Sequence, residues 1–233
     1  MLLGLDVGGT FTDAVIIDGH RVVATAKRRT TKDNLMNGIG EALDAVLEGY
    51  DTSNIEQVTL STTVVTNTIV EEKEQVVDLY VVTGPGRNVD DIFPVKPIYL
   101  QGYTDHRGIV VERTPADAVR GIANMVQTRS GTDLAAVSAK FGVRNPQEEL
   151  SITEELKNTY HAISNGSLLS GSLNFPRRTI SAYFNSAVTP VFTVFKKNVE
   201  DALSARNIVA PLHILKADGG SLPVEHMVSR PVE

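Results

Sequence analysis

A short apolar run, Leu2 to Val7, leads into Gly8-Gly9-Thr10-Phe11-Thr12-Asp13, and a second apolar run, Ala14 to Ile17, follows at once. Two strands joined by a glycine turn make a hairpin. A hairpin with Asp6, Thr10, Thr12 and Asp13 in and beside its turn carries the groups that grip a nucleotide phosphate and a magnesium ion. Gly8 and Gly9 let the backbone bend with its N–H groups toward an anion, Thr10 and Thr12 add hydroxyls, and Asp6 offers a hard oxygen to Mg²⁺, directly or through water. No Lys-Ser/Thr pair follows the glycines and no G-x-G-x-x-G opens a helix, so this is neither a P-loop nor a Rossmann turn. An ordinary tight hairpin is the alternative reading of the turn. For Asp13, capping the turn stands beside orienting a water.

A phosphate-gripping hairpin of this kind is the arrangement of actin-like ATPases and sugar kinases. The rest of the pattern agrees with an α/β fold. Residues 2–7, 12–17 and 21–28 read as strands, the last two joined by Asp18-Gly19, and they make the sheet mixed. Thr31 is expected to cap a helix whose apolar positions Leu35, Ile39, Ala42, Leu43, Val46 and Leu47 share one face. Val58 to Ser61 and Val76 to Thr83 read as strands. Between them the run from Thr62 to Thr68 marks a strand-to-helix junction, whose hydroxyls either cap the helix or face a ligand. A helix from Pro115, a strand over Leu134 to Ala139, and a helix opened by Asn145-Pro146 follow. In that last helix Glu148, Glu149, Glu154 and Glu155 are expected toward solvent. A long helix from Arg177 to Arg206, interrupted at Pro190, and a strand over Pro211 to Lys216 come last, and Met227 to Glu233 is expected to lack a packing partner.

The chain has 233 residues, a net charge of −6 and no cysteine. The charge disfavours nucleic acid, and the Lys27-Arg28-Arg29 run reads as a solvated strand end. Without cysteine there is no disulfide, thiolate zinc site, iron–sulfur cluster or thiol nucleophile. His20, His106, His161, His213 and His226 have no metal-binding spacing. Nowhere do about eighteen apolar residues run together, so no membrane segment is expected, and a soluble cytoplasmic protein is.

Several segments in this order resemble the N-terminal part of the hydantoinase A / oxoprolinase / acetone carboxylase family. They are the turn from Gly4 to Asp13, Ser61-Thr62-Thr63-Val64-Val65-Thr66-Asn67-Thr68, Asn145-Pro146-Gln147-Glu148-Glu149, Leu169 to Asn174 leading to Arg178-Thr179, Lys216-Ala217-Asp218-Gly219-Gly220, and Arg230-Pro231-Val232-Glu233. The family usually has His where Glu148 stands, and His-Gly where this chain has Leu60-Ser61.

The resemblance implies an actin-like ATPase (ribonuclease H-like) fold, with this chain as one lobe of a two-lobed module. Residues 1–210 would form the phosphate-binding lobe and 211–233 the start of the second, so the chain reads as a fragment or a split subunit that is inactive alone. ATP and Mg²⁺ are the implied cofactors, and a cyclic amide or a ketone the substrate. A second lobe or partner subunit is implied, and a homo-oligomer is allowed for. Gly8, Gly9, Thr10 and Thr12 would bind phosphate, Asp6 the metal, and Asp6 with Asp13 the reacting groups. Thr66, Asn67, Asn145 and Asn174 are candidates for the substrate side, with loop or cap roles as the alternative for the asparagines.

Overall fold

In Leu2–Val7 every second side chain, Leu3, Leu5 and Val7, is buried while Leu2, Gly4 and Asp6 point the other way, the period of a strand with one face in a core. The computed structural model describes residues 1–30, 35–86 and 89–233, so the cap expected at Thr31 lies outside them. In chain order the elements are β1 (Leu2–Val7), β2 (Phe11–Asp18), β3 (Arg21–Arg29), α1 (Leu35–Leu47), β4 (Gln57–Thr62), α2 (Val64–Val70), β5 (Asp78–Val82), β6 (Ile98–Tyr99), β7 (Tyr103–Thr104) and β8 (Val110–Glu112). There follow α3 (Ala116–Ser130), β9 (Leu134–Ala139), α4 (Gln147–Leu156), β10 (Ala162–Asn165), α5 (Gly166–Leu169), α6 (Phe175–Ser204), β11 (Leu212–Leu215), β12 (Ser221–Pro223) and α7 (Val224–Met227).

The chain divides into two units, one of Met1–Lys73, Pro190–Pro231 and Glu233, the other of Glu74–Thr189 and Val232. The boundary falls within α6 at Pro190, the residue expected to interrupt that helix; α6 instead runs unbroken through it from Phe175 to Ser204.

The first unit is built on a six-stranded sheet in the order β12-β11-β4-β1-β2-β3. β1 runs antiparallel to β2 and parallel to β4, so the sheet is mixed, as the opening hairpins imply. Leu3, Leu5 and Val7 are buried on the same face as their register partners Ile16, Ala14 and Thr12. Over that face α1 lays Ile39, Ala42, Leu43 and Val46, one stripe at helical spacing, and α6 adds Phe192, Phe195 and Val199. Residues 211–233, expected to open a second lobe, give β11, β12 and α7 to this unit, with β11 parallel to β4. Val224 and Met227 are buried in its core, so the stretch beginning at Met227 does have a packing partner.

The second unit holds a four-stranded parallel sheet in the order β10-β9-β5-β6. From β5 the chain passes to β6 on one side and returns to β9 on the other, so the direction of winding reverses between β5 and β9. Both strands are buried at every position, which is why they read as unbroken apolar runs rather than alternating ones. Of the two polar exceptions, Asp78 and Ser138, Asp78 accepts hydrogen bonds at Oδ2 from Tyr160 Oη and Ser130 Oγ, each at 2.8 Å, and Ser138 Oγ lies 2.8 Å from Thr179 Oγ1. Tyr80 and Tyr160 share a 2.7 Å hydroxyl contact, and burial pushes the Tyr80 phenol up to about 12.

Glu148 and Glu149, expected toward solvent, are both buried. Glu148 Oε1 accepts the Thr114 N–H at 2.6 Å. Glu149 Oε1 accepts the Ala139 N–H at 2.7 Å, and its Oε2 accepts the Ser167 N–H at 2.8 Å and the Ser167 hydroxyl at 2.5 Å. Burial pushes the Glu149 carboxyl above its ordinary range, against the downward pull of those donors and of the Arg178 charge. Arg178 is itself fully buried and donates to the carbonyls of Ser172, Ala139 and Lys140. Among the described residues no helix is long and apolar enough to cross a membrane.

Candidate phosphate and metal site

The hairpin between β1 and β2 closes with Gly8 N–H donating to the Phe11 carbonyl at 3.0 Å. That leaves the N–H groups of Gly9 and Thr10 at the tip, and among the described residues neither has a protein acceptor. Two adjacent N–H groups with no internal partner, next to the exposed Thr10 hydroxyl, form a small anion-receptive edge. Neither glycine has a positive φ, so their smallness serves close approach. A Cβ at Gly9 would stand 3.1 Å from Asn67 Nδ2, and one at Gly8 3.2 Å from the Phe11 carbonyl oxygen.

Behind the tip, on the helix side of the sheet, lies a cavity of about 250 Å³ lined by Gly8, Gly9, Thr30, Thr62, Asn67 and Phe195, among others. Its polar groups are tied to the frame. Thr62 Oγ1 donates to the Val7 carbonyl at 2.9 Å and accepts the Val64 N–H at 3.2 Å, fastening the ends of β1 and β4 and the start of α2. Asn67 Nδ2 donates to Thr63 Oγ1 at 3.1 Å. Thr62 thus takes up the first N–H of α2, whereas Thr63 at the N-cap makes no side-chain cap bond, and the Asn67 amide lies close to Gly9.

The two acids lie on the other face. Strand pleating turns Asp6 away from Leu5 and Val7, and pairing sets it between Asp13 of β2 and Ser61 of β4. Asp13 in turn pairs with Lys27 of β3, so Lys27, Asp13, Asp6 and Ser61 form one row across four strands. They line an open cavity of about 450 Å³ with Gly4, Thr25 and Thr59. Gly4 keeps its floor flat: a Cβ there would come within 2.8 Å of Val15 Cγ1. Lys27 Nζ bonds both Asp13 oxygens at 2.8 Å and lies 4.7 Å from the centre of the Phe11 ring. Asp6 is exposed and, among the described residues, has no hydrogen-bond or ion-pair partner.

The sequence-derived candidates therefore separate. Gly8, Gly9 and Asn67 share the helix-side cavity, and Asp6 and Asp13 share the open-face cavity. Thr10 is at the tip. Thr12 is buried, its hydroxyl 3.1 Å from that of Thr30. Thr66 is exposed on α2. In the second unit Asn145 donates to the Gly108 carbonyl at 2.9 Å and accepts the Gln147 N–H at 3.1 Å, while Asn174 accepts the Arg177 N–H at the start of α6. Both asparagines make the cap and loop bonds that were their alternative reading. Lys27 and Ser61 were not singled out as site residues. Counting back from the legible Asp18-Gly19 turn would set Ala26 opposite Asp13; a register shift between Ile16 and Ile17 brings Lys27 there instead, and no local sequence signal announces it.

No group of three or more His, Asp or Glu side chains among the described residues could enclose a metal ion. One free carboxylate beside a hydroxyl suits Mg²⁺, which keeps most of its waters and takes one or two carboxylates plus phosphate oxygens.

A mixed sheet opened by two hairpins, with helices against it and an acidic glycine turn at its first bend, places the chain in the actin-like, ribonuclease H-like class of α/β proteins. The family model for the hydantoinase/oxoprolinase N-terminal region matches residues 2–160, and the chain belongs to that family. Among solved structures, it resembles a nucleotide-free acetone carboxylase from work on ATP-dependent acetone carboxylation, with a TM-score of 0.79 at 16% identity over 97% of this chain and 37% of that one. It also resembles an ATP-dependent caprolactamase from Pseudomonas jessenii, with a TM-score of 0.74 at 17% identity over 96% of this chain and 36% of that one. The chain thus spans little more than a third of either neighbour's length. No curated protein sequence matches it.

Proposed function

We propose that this chain is the ATP-phosphate-binding part of an ATP-dependent hydantoinase/oxoprolinase-type amidohydrolase that acts on a cyclic amide. The observation that carries the reading is the hairpin tip, where, among the described residues, the Gly9 and Thr10 N–H groups lack acceptors close in sequence to an Asp6 carboxylate without a partner. Phosphoryl transfer asks a protein mainly for positioning and charge neutralisation. The tip N–H groups would hold phosphate oxygens, Asp6 would hold Mg²⁺ with Ser61 beside it, and Asp13 would lie within the same open cavity. Bound Mg·ATP would supply a phosphoryl group to activate the amide carbonyl. Thr66 and Asn67 on α2, with Asn145 and Asn174 in the second unit, remain candidates for the substrate side. A cytoplasmic location and a partner lobe or subunit belong to the same proposal.

The likeness to acetone carboxylase supports a second reading, a subunit of an ATP-dependent ketone carboxylase. A non-catalytic binding or assembly domain is a third. Calorimetry with Mg·ATP is expected to show weak binding to this chain without turnover, and binding is expected to fall below detection in Asp6→Asn. Undiminished affinity in that variant would remove the metal role given to Asp6. Turnover by the chain alone would defeat the half-site reading. A lactam or hydantoin that stimulates ATP hydrolysis by the chain joined to its partner favours the amidohydrolase, and acetone with bicarbonate favours the carboxylase.

A further inference from the structure

We propose that Lys27 is a phosphate-binding residue which, without ligand, is latched onto Asp13 and so competes with the metal ion for that carboxylate. This rests on the reading of the β1–β2 turn as a phosphate site. The observations are the register row and the cavity: Lys27, Asp13, Asp6 and Ser61 lie side by side on the open face of one sheet and line one space. The Lys27 ammonium engages both Asp13 oxygens, and neither side chain is buried, at 56% and 45% exposure. A pair so open to water is weak and easily exchanged.

The charges indicate when the exchange occurs. Two carboxylates and one ammonium leave the row at −1, a divalent cation brings it to +1, and that surplus positive charge attracts a phosphate anion. Were Asp6 and Asp13 both to hold Mg²⁺, the Lys27 ammonium would have to leave the Asp13 oxygens and face the open cavity. A phosphate oxygen is the partner that satisfies it there. Lysine suits this better than arginine, because it is a compact charge on a flexible stem and has no planar fork to keep it on the carboxylate. The Phe11 ring, 4.7 Å away, gives the displaced ammonium a second resting surface.

The consequence is a sign inversion that a purely structural ion pair does not produce. Bare metal should bind more tightly once the latch is removed, whereas metal with phosphate should bind less tightly once the phosphate contact is removed. The test uses the 233-residue chain, with Mn²⁺ alone followed by electron paramagnetic resonance and magnesium pyrophosphate followed by calorimetry. Lys27→Met is expected to bind Mn²⁺ about two- to fivefold more tightly. It is expected to bind magnesium pyrophosphate about tenfold more weakly. Lys27→Arg, which keeps the charge, is expected to fall between the wild type and Lys27→Met in the pyrophosphate arm. Asp6→Asn is expected to lose both ligands. If Asp6→Asn loses both ligands while Lys27→Met matches the wild type, or weakens both equally, the latch is refuted and the phosphate site stands. If the wild type binds neither ligand, or Asp6→Asn binds both unchanged, the phosphate site falls and the latch with it.

Discussion

Replacing Glu149 with alanine is expected to destabilise the second unit by about 3–5 kcal/mol, the cost of removing one side of a buried charged constellation. The loss has two sources. The Ala139 N–H and the Ser167 N–H and hydroxyl lose their common acceptor, and the buried Arg178 guanidinium loses the nearby negative charge. Each of those buried donors is then left unsatisfied. Because the chain has two units, the measurement is amide hydrogen exchange: protection in β9 and β10 should fall, while that in β1 and β2 should hold. Undiminished protection in β9 would show that the carboxylate contributes little.

The same group sets a pH dependence. Its folded pKa is raised by burial, so the folded form binds the proton more tightly than the unfolded chain does. The resulting stabilisation is complete below the ordinary glutamate range and is lost as pH rises through the raised folded value. The stability difference between wild type and Glu149→Gln should therefore shift against the wild type as pH rises through that window. A flat difference would contradict the raised value.

In the first unit, Phe195→Ala is expected to cost about 3–5 kcal/mol. Phe195 is 1% exposed, packs with its ring 6.5 Å from that of Phe192, and forms one wall of the cavity behind the hairpin tip. The space already present on one side means that the void joins an existing one, so relaxation recovers little of the loss. Urea unfolding followed by the exchange of β1 and β4 amides measures it, and a change below about 1 kcal/mol would mean that the cavity wall had closed over the site. Phe195→Leu should recover most of the stability, because it restores much of the apolar volume.

Much of this architecture is legible in the residues. The alternation of Leu3, Leu5 and Val7 with Gly4 and Asp6 gives β1, the glycine turn and Asp18-Gly19 give the hairpins, and Leu134 to Ala139 gives β9 with the bounds observed. What escapes depends on partners distant in sequence. Glu148 and Glu149 read as a solvated helix face because adjacent glutamates near a helix start are normally exposed. Their burial depends on Thr114, Ala139, Ser167 and Arg178, which only the tertiary fold brings to them. Lys27 read as part of a basic strand end because its neighbours Arg28 and Arg29 share its charge, and the irregularity between Ile16 and Ile17 that shifts the register and sets Lys27 opposite Asp13 has no mark in the sequence. Asp6 and Gly8 are two residues apart in sequence, but the pleat and the bend assign them to different cavities.

In open parallel sheets, ligands ordinarily enter beyond the strand ends where the winding reverses. In the second unit that place lies at the ends of β5 and β9, and at the end of β9 an internal cation takes up the backbone acceptors: Arg178 holds the Ala139 and Lys140 carbonyls at 2.9 and 3.1 Å. A guest seeking those oxygens would have to evict a fully enclosed guanidinium.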